Sequence, residues 1–428
     1  MEERMDWTDI ARYFYLTDER MQGISRGFAA EIEKALSRQA EASLAAEKSY
    51  APLPDGSEAG VYLALDFGGT NVRAARVRLL GRHCYIVEKK VSCPLYVPGA
   101  YDYRSPSTTP QELFDFLAGV VARVAHRHEA YRLGHTFSFA VDRNELRDGK
   151  LREWAKEIAV PGVEGELVNA QLKAALVRRG LTDIEPAALI NDTAALLLSA
   201  AYTMERVHMG IVCGTGFNAC YYEPALKMIV NLEAGDYSGL VRNRWDEAVD
   251  ARSVQPGLHR LEKMVSGAYA AEIFRQTLLT YFQTPSLPPF STETMNEIVS
   301  NDNDRQCQLL MARTWQRIVP FTDVRPVRNI GAAIFVRAAQ LAGTVASGIL
   351  HHLYGDHLIP AQTIAVDGSV LEHVRGALFM MEDAMQACEN EGQSREKQVP
   401  AEPFLFQDGP LTGAAVAAAL GEKSVFSL

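Results

Sequence analysis

Residues 61–67 (VYLALDF) are apolar at every position except Asp66, the pattern of a central strand covered on both faces. Gly68 and Gly69 follow, and beyond Thr70 and Asn71 the apolar positions Ala75, Val77 and Leu79 alternate with Arg76 and Arg78. This predicts strand, tight turn, strand, with the glycines at positive φ and bare backbone N–H groups free to face an anion. Helical spacing over residues 17–36 places Met21, Ile24, Phe28, Ile32 and Leu36 on one face, capped by Thr17 or Asp18. Thr109-Pro-Gln-Glu112 is a capping box with proline at the first helical position, opening a helix over 113–124. Further helices are expected over 167–180, 194–202, 257–282, 304–319, 329–353 and 413–420. Strands are expected over 91–98, 135–141, 187–190, 209–213, 218–223, 228–232, 363–366 and 404–407.

Residues 49–60 read as a turn-rich linker, 150–160 as an exposed connection, and 389–403 as a mobile charged loop. Strands that end at polar, glycine-bearing turns recur along the chain, at 66–71, 191–193, 214–216, 367–369 and 408–410. That repetition predicts an α/β protein whose site gathers the ends of several strands.

Composition narrows the class. With 428 residues the chain is long enough for two or three lobes, and 47% hydrophobic against 22% charged is an ordinary soluble balance. A net charge of −10 argues against a nucleic-acid surface, so an anionic substrate needs local help from backbone nests, a metal ion or a few basic groups. The six cysteines show neither CxxC pairs nor zinc spacing and are expected to be reduced core residues. The apolar run 334–350 carries Arg337 and Gln340 and reads as a buried helix, not a membrane span. The opening residues lack a secretory apolar core, so a cytoplasmic protein with no membrane partner is expected.

Candidate chemistry follows from what is present and what is missing. There is no GxxxxGK[ST] and no HRD or DFG, which removes the P-loop and protein-kinase readings. Residues 214–219 fit GxGxxA after a strand, but a dinucleotide site needs a helix next, and Ala219-Cys220-Tyr221-Tyr222-Glu223-Pro224 is strand-like. Two glycine nests remain, 66–71 and 214–218, and two nests can hold opposite sides of a polyphosphate. Asp66 beside the first nest makes sense if a divalent cation or its waters lie between carboxylate and phosphate. Asp192 is either a base for a hydroxyl or, with Asn191 and Thr193, a plain helix cap.

Together these pieces resemble the hexokinase family, over nearly the whole chain. The similar stretches are LALDFGGTNVR (63–73), LGHTFSFAV (133–141), REWAKEI (152–158), INDTAALLLSAAY (190–202), GTGFNACY (214–221) and NLEAGDYSG (231–239). VDARSVQPGLHRLEKMVSGAY (249–269), RAAQLAG (337–343), VDGSV (366–370) and DGPLTGAAVAAAL (408–420) follow in family order. The resemblance implies one catalytic unit of the two-lobed actin-like ATPase fold with a deep interlobe cleft. It also implies a small lobe over 60–193, with the C-terminal helix 411–428 packed on it, and a large lobe over 1–59 and 194–410.

The implied activity is ATP-dependent phosphorylation of a hexose, glucose foremost, at its 6-hydroxyl, with Mg²⁺ carried by the nucleotide. A sugar-binding regulator on the same fold is the alternative, and the oligomeric state is left open between monomer and homodimer. By resemblance Asp192 is the general base, and Lys156 neutralises charge near the transferring phosphoryl. Ser138, Lys156, Asn191, Asn218, Glu233 and Glu262 hold the sugar. Gly68, Gly69, Thr70, Asn71, Gly214, Thr215 and Gly216 hold phosphates, Asp66 lies near magnesium, and Arg73 braces the first loop. Asp367, Gly368, Ser369, Asp408 and Gly409 surround the adenosine side. Without the resemblance Lys156 would read as a surface lysine, and Glu262 as part of a charged helix face beside Lys263. The chain departs from the family at Ala155, where threonine is usual, and at Ala140, Pro410 and Thr412.

Overall fold

The computed structural model describes residues 5–155, 157–355, 357–389, 400–407 and 409–425. Lys156, Asp408 and the charged run 390–399 therefore lie outside the described residues.

Helix α1 (Asp18–Leu36) starts where its cap predicts: the Thr17 hydroxyl accepts from Arg20 N, and Met21, Phe28 and Ile32 are buried at helical spacing. Strands β1 (Ala59–Phe67), β2 (Asn71–Gly81) and β3 (Cys84–Pro94) form an antiparallel meander in which Asp66 pairs with Arg73 across the turn. Helix α2 (Pro110–Ala122) opens on the full Thr109/Glu112 capping box. Strand β4 (Tyr131–Phe137), helix α3 (Val168–Arg178), strand β5 (Ile184–Ile190) and helix α4 (Asp192–Thr203) follow.

Next come β6 (Val207–Cys213), β7 (Phe217–Glu223) and β8 (Met228–Asn231), the last two antiparallel. Helices α5 (Arg260–Val265) and α6 (Gly267–Tyr281) occupy the stretch where one helix was expected. The break is at Ser266, which is extended (φ −81°, ψ 155°), because Gly267 N donates to Gly214 O at 2.7 Å instead of continuing a helix.

Helix α7 (Val324–Tyr354) is long and apolar enough to cross a membrane, but 89% of its apolar stretch is buried in protein. Its Arg337 forms a bidentate pair with Asp246, 2.8 Å at each nitrogen, which satisfies a charge that burial would otherwise penalise. Strand β9 (Gln362–Asp367), helix α8 (Ala377–Glu389), strand β10 (Ala401–Leu405) and helix α9 (Gly409–Val425) complete the chain. The run predicted as a mobile loop through residue 403 thus ends in a strand, parallel to β9, because Ala401–Leu405 takes up its ladder. The expected exposed connection at 150–160 is exposed at Lys150, Arg152, Glu153, Ala155, Glu157 and Ala159, with Leu151, Ile158 and Val160 turned inward and buried.

Two compact units emerge. The first comprises residues 1–46, 211–219 and 232–405, and the second 47–210, 220–231 and 406–428. The second holds a five-stranded sheet in the order β5-β4-β1-β2-β3, over a core of Leu63, Leu65, Phe67, Phe114, Leu133, Phe137 and Leu172. The first has its own core around Trp245, Phe274, Met311, Trp315 and Ile330. The division falls within β6, not at residue 193, because α4 meshes with α9 backbone to backbone. A Cβ on Gly413 would lie 1.9 Å from Ala195 O, so only glycine permits that approach.

Candidate active site

In the second unit β1, β4 and β5 run parallel, and their carboxyl ends fall level. Phe67 is in register with Phe137, and Thr136 with both Asp66 and Ile190. The next residues along each strand are therefore Gly68, Ser138 and Asn191, side by side at the edge where open α/β sheets bind ligands. Ser138 N donates to Phe67 O at 3.4 Å, which ties the sugar-strand candidate to the first glycine turn.

Asp66 is buried, and its Oδ2 lies 2.7 Å from Arg73 Nη2, an ion pair that links β1 to β2 beside the turn. Gly68 and Gly69, however, do not take positive φ. An added Cβ at 68 would meet only Asn71 O, at 3.9 Å, an ordinary contact, so neither crowding nor φ demands glycine at this position. Thr70 and Asn71 are exposed beside it.

Asn191 is the cap of α4. Its Oδ1 accepts from Ala194 N at 2.9 Å, while its Nδ2 donates to Thr193 Oγ1 at 2.9 Å. Asp192 is half-buried and adds to the helix start, its Oδ1 accepting from Thr193 N at 2.9 Å, while the N-cap bond to Ala194 N comes from Asn191. The connection through Ala155 hangs on Trp154, whose ring packs 5.0 Å from Phe139 and 6.1 Å from both Phe67 and Phe137. Trp154 Nε1 also donates to Val160 O at 2.8 Å. Sequence reading missed this anchor, although the run FSF and a tryptophan beside the predicted lysine signalled it.

In the first unit the turn 214–216 is fixed from three sides. Gly267 N and Ala268 N donate to Gly214 O and Thr215 O, at 2.7 and 3.2 Å. Glu262 Oε2 accepts from Phe217 N at 3.1 Å. Gly368, at φ +110°, packs against the Cys213–Gly214 peptide, which brings Asp367 and Ser369 beside the turn. Thr215 is exposed at the tip and Gly216 half-buried.

Asn218 Oδ1 accepts from Ala219 N and Ala234 N, at 2.7 and 3.0 Å, and its Nδ2 donates to Glu233 Oε1 at 3.4 Å. Gly235 was missed from sequence. Only its lack of a side chain admits Glu262, whose Cβ would lie 3.0 Å from an added methyl. Lys263 does not belong to a solvated face, because it is buried against Asp250 at 2.6 Å.

Gly409 lies in the second unit, buried against Leu196 of α4, and so fills a packing position. Burial, reinforced by Glu262, pushes the Cys213 thiol up to about 12, so it offers no thiolate at neutral pH. Among the described residues no group of three or more His, Cys, Asp or Glu could hold a metal ion.

Two family models, both described as hexokinase, match residues 6–202 and 208–420. Hexokinase-7 of Oryza sativa subsp. japonica is 30% identical over 446 residues, covering 94% of this chain and 93% of that protein. A crystal structure of a hexokinase superposes with a TM-score of 0.85 at 29% identity, over 97% of this chain and 98% of the other. The hexokinase of Schistosoma mansoni complexed with glucose superposes at 0.81 with 26% identity, over 96% and 98%.

Proposed function

The chain belongs to the hexokinase family and is an ATP-dependent hexose phosphotransferase; we propose that glucose is its foremost substrate, phosphorylated at the 6-hydroxyl with Mg²⁺ accompanying ATP. What supports the assignment of roles is the cap of α4. Asn191 supplies the bond to Ala194 N, and the neighbouring Asp192, at the carboxyl end of β5, meets Thr193 N with Oδ1, so its second carboxylate oxygen can take a substrate hydroxyl.

An alcohol is too weak an acid to ionise at neutral pH. In a loose phosphoryl-transfer transition state the base chiefly orients the nucleophile and takes its proton late. Asp192 fills that role, and Lys156 offsets charge on the transferring group. Sugar hydroxyls both donate and accept, which suits the hydroxyl, amide and carboxylate groups of the candidates Ser138, Asn191, Asn218, Glu233 and Glu262. The backbone at 68–71 and 214–216 holds phosphate oxygens.

The donor set fits a nucleotide-borne Mg²⁺ better than a resident one. Asp66 is a single carboxylate beside the first turn, and Mg²⁺ typically binds one or two carboxylates with phosphates and water. There the ion would neutralise phosphate charge. All six cysteines are free thiols, five of them buried, which supports residence in the reducing cytoplasm. Magnetic resonance of the sugar product tests the regiochemistry: phosphorus coupling at C6 is expected, and a 1-phosphate would overturn it.

A further inference from the structure

Glu233 and Glu262 come from distant parts of the first unit, and each sits at a strained backbone junction. Glu233 is left-handed (φ 46°, ψ 51°) and opens the short turn Ala234–Asp236. His259 is left-handed (φ 51°, ψ 46°) and opens α5, whose first turn carries Glu262. Non-glycine residues persist in this region only where their surroundings over-determine them. Here a side-chain link joins the two junctions: His259 Nδ1 is hydrogen-bonded to Asp236 Oδ1. The other ring nitrogen, Nε2, lies 2.7 Å from Gln255 Oε1. Arg260 adds a second tie, its Nη1 donating to the carbonyls of Ser238 and Leu240.

Resting on the reading that the two glutamates bind the hexose, we propose that Asp236 and His259 form a latch that holds Glu233 and Glu262 in register for the sugar. His259 is then a positioning residue for the reaction, and the latch is tightest when its imidazole is protonated. Both ring nitrogens face oxygen acceptors, and only the imidazolium donates to both at once. The groups facing the ring agree on balance. The Asp236 hydrogen bond, with the charges of Asp236 and Glu262, holds the imidazole above its usual 6.5, against burial and Lys263. Lys263 is itself engaged by Asp250. As pH rises through the raised pKa of His259, one of the two donors is lost and the latch slackens.

Steady-state kinetics across pH test this directly. The hexose KM of the wild type is expected to rise above the His259 pKa, with kcat changing less. His259→Ala should raise the hexose KM about two- to tenfold at neutral pH, the range for one lost hydrogen bond, with the ATP KM nearly constant. His259→Gln keeps an amide donor for Asp236 without titrating, so it should restore most of the affinity and remove the alkaline rise. An unchanged hexose KM in His259→Ala, or an alkaline rise that survives in His259→Gln, overturns the latch. Imidazole magnetic resonance decides the link without turnover. His259 should titrate above 6.5 in the wild type and fall toward 6.5 in Asp236→Asn. Titration at 6.5 in both proteins refutes it, and absence of hexose turnover with that shift intact refutes only the proposed function.

Discussion

Gly368→Ala puts a methyl group where the Cys213–Gly214 peptide already sits. At φ +110° and ψ 147° the residue occupies a region that L side chains avoid. An ideal Cβ there would lie 2.4 Å from both the carbonyl carbon and the oxygen of Cys213, and 2.6 Å from Gly214 N. Relieving those contacts to the 3.4 Å of ordinary van der Waals packing needs a displacement of about 1 Å. The neighbours are backbone, so no flexible side-chain end can yield. Strain at such a φ costs about 1–3 kcal/mol, and overpacking costs a similar amount when nothing moves. If the structure relaxes instead, the turn 214–216 moves, and a misplacement of about 1 Å in a reacting site costs on the order of a hundredfold in rate. Kinetics with ATP and hexose varied in turn, alongside denaturant unfolding, separate the two outcomes. The expected variant is less stable by about 2–6 kcal/mol, or turns over about a hundredfold more slowly with a raised ATP KM. Wild-type stability together with wild-type ATP kinetics would refute the claim that Gly368 sets the position of the turn 214–216.

Two further predictions concern the second unit. Ala155 is exposed beside the Trp154 anchor, and restoring the family's threonine should lower the glucose KM by about two- to tenfold, the worth of one neutral hydrogen bond, with a smaller change for ATP. No gain would show that the connection follows a local path of its own. His135 is wholly buried, its Nδ1 2.9 Å from Asn169 Oδ1, and burial lowers its pKa from 6.5 to about 4. Because the folded pKa is depressed, the unfolded chain takes up the proton first. The neutral ring carries no penalty above pH 6.5, and stability falls as pH drops from 6.5 toward 4, by up to about 3 kcal/mol. Denaturant titrations of wild type and His135→Gln should show the larger acid loss in the wild type, and equal losses would refute the assignment.

Local signals in the chain were enough for much of this. The Thr109/Glu112 box, the Thr17 cap and the strand pair around Gly68 each follow from neighbours within a few residues, where propensity and period act directly. What resisted reading is set by distant contacts. The break at Ser266 exists because Gly214, some fifty residues earlier, offers a carbonyl. Within the largely exposed stretch 150–160, the inward turn of Trp154 depends on its meeting Phe67, Phe137 and Phe139. The glycine turn at 68–69 was identified for the right residues with the wrong geometry: neither glycine is left-handed, and a Cβ at 68 would meet only Asn71 O at 3.9 Å. Asp192 was legible as a carboxylate at a strand end. That Asn191 takes the bond from Ala194 N while Asp192 meets Thr193 N with one oxygen required the side chains themselves.

The most direct test of the proposed chemistry is coupled ADP release by the wild type and Asp192→Asn, across a panel of hexoses with and without Mg²⁺. Wild-type turnover is expected to require both sugar and Mg²⁺, with glucose foremost. In Asp192→Asn, kcat should fall at least about a hundredfold while glucose binding, followed by calorimetry, persists, since the amide keeps the shape and loses the base. ADP release that is equally fast without sugar, or a near-wild-type kcat in the variant, would contradict the assignment and leave Asp192 a structural residue at the start of α4.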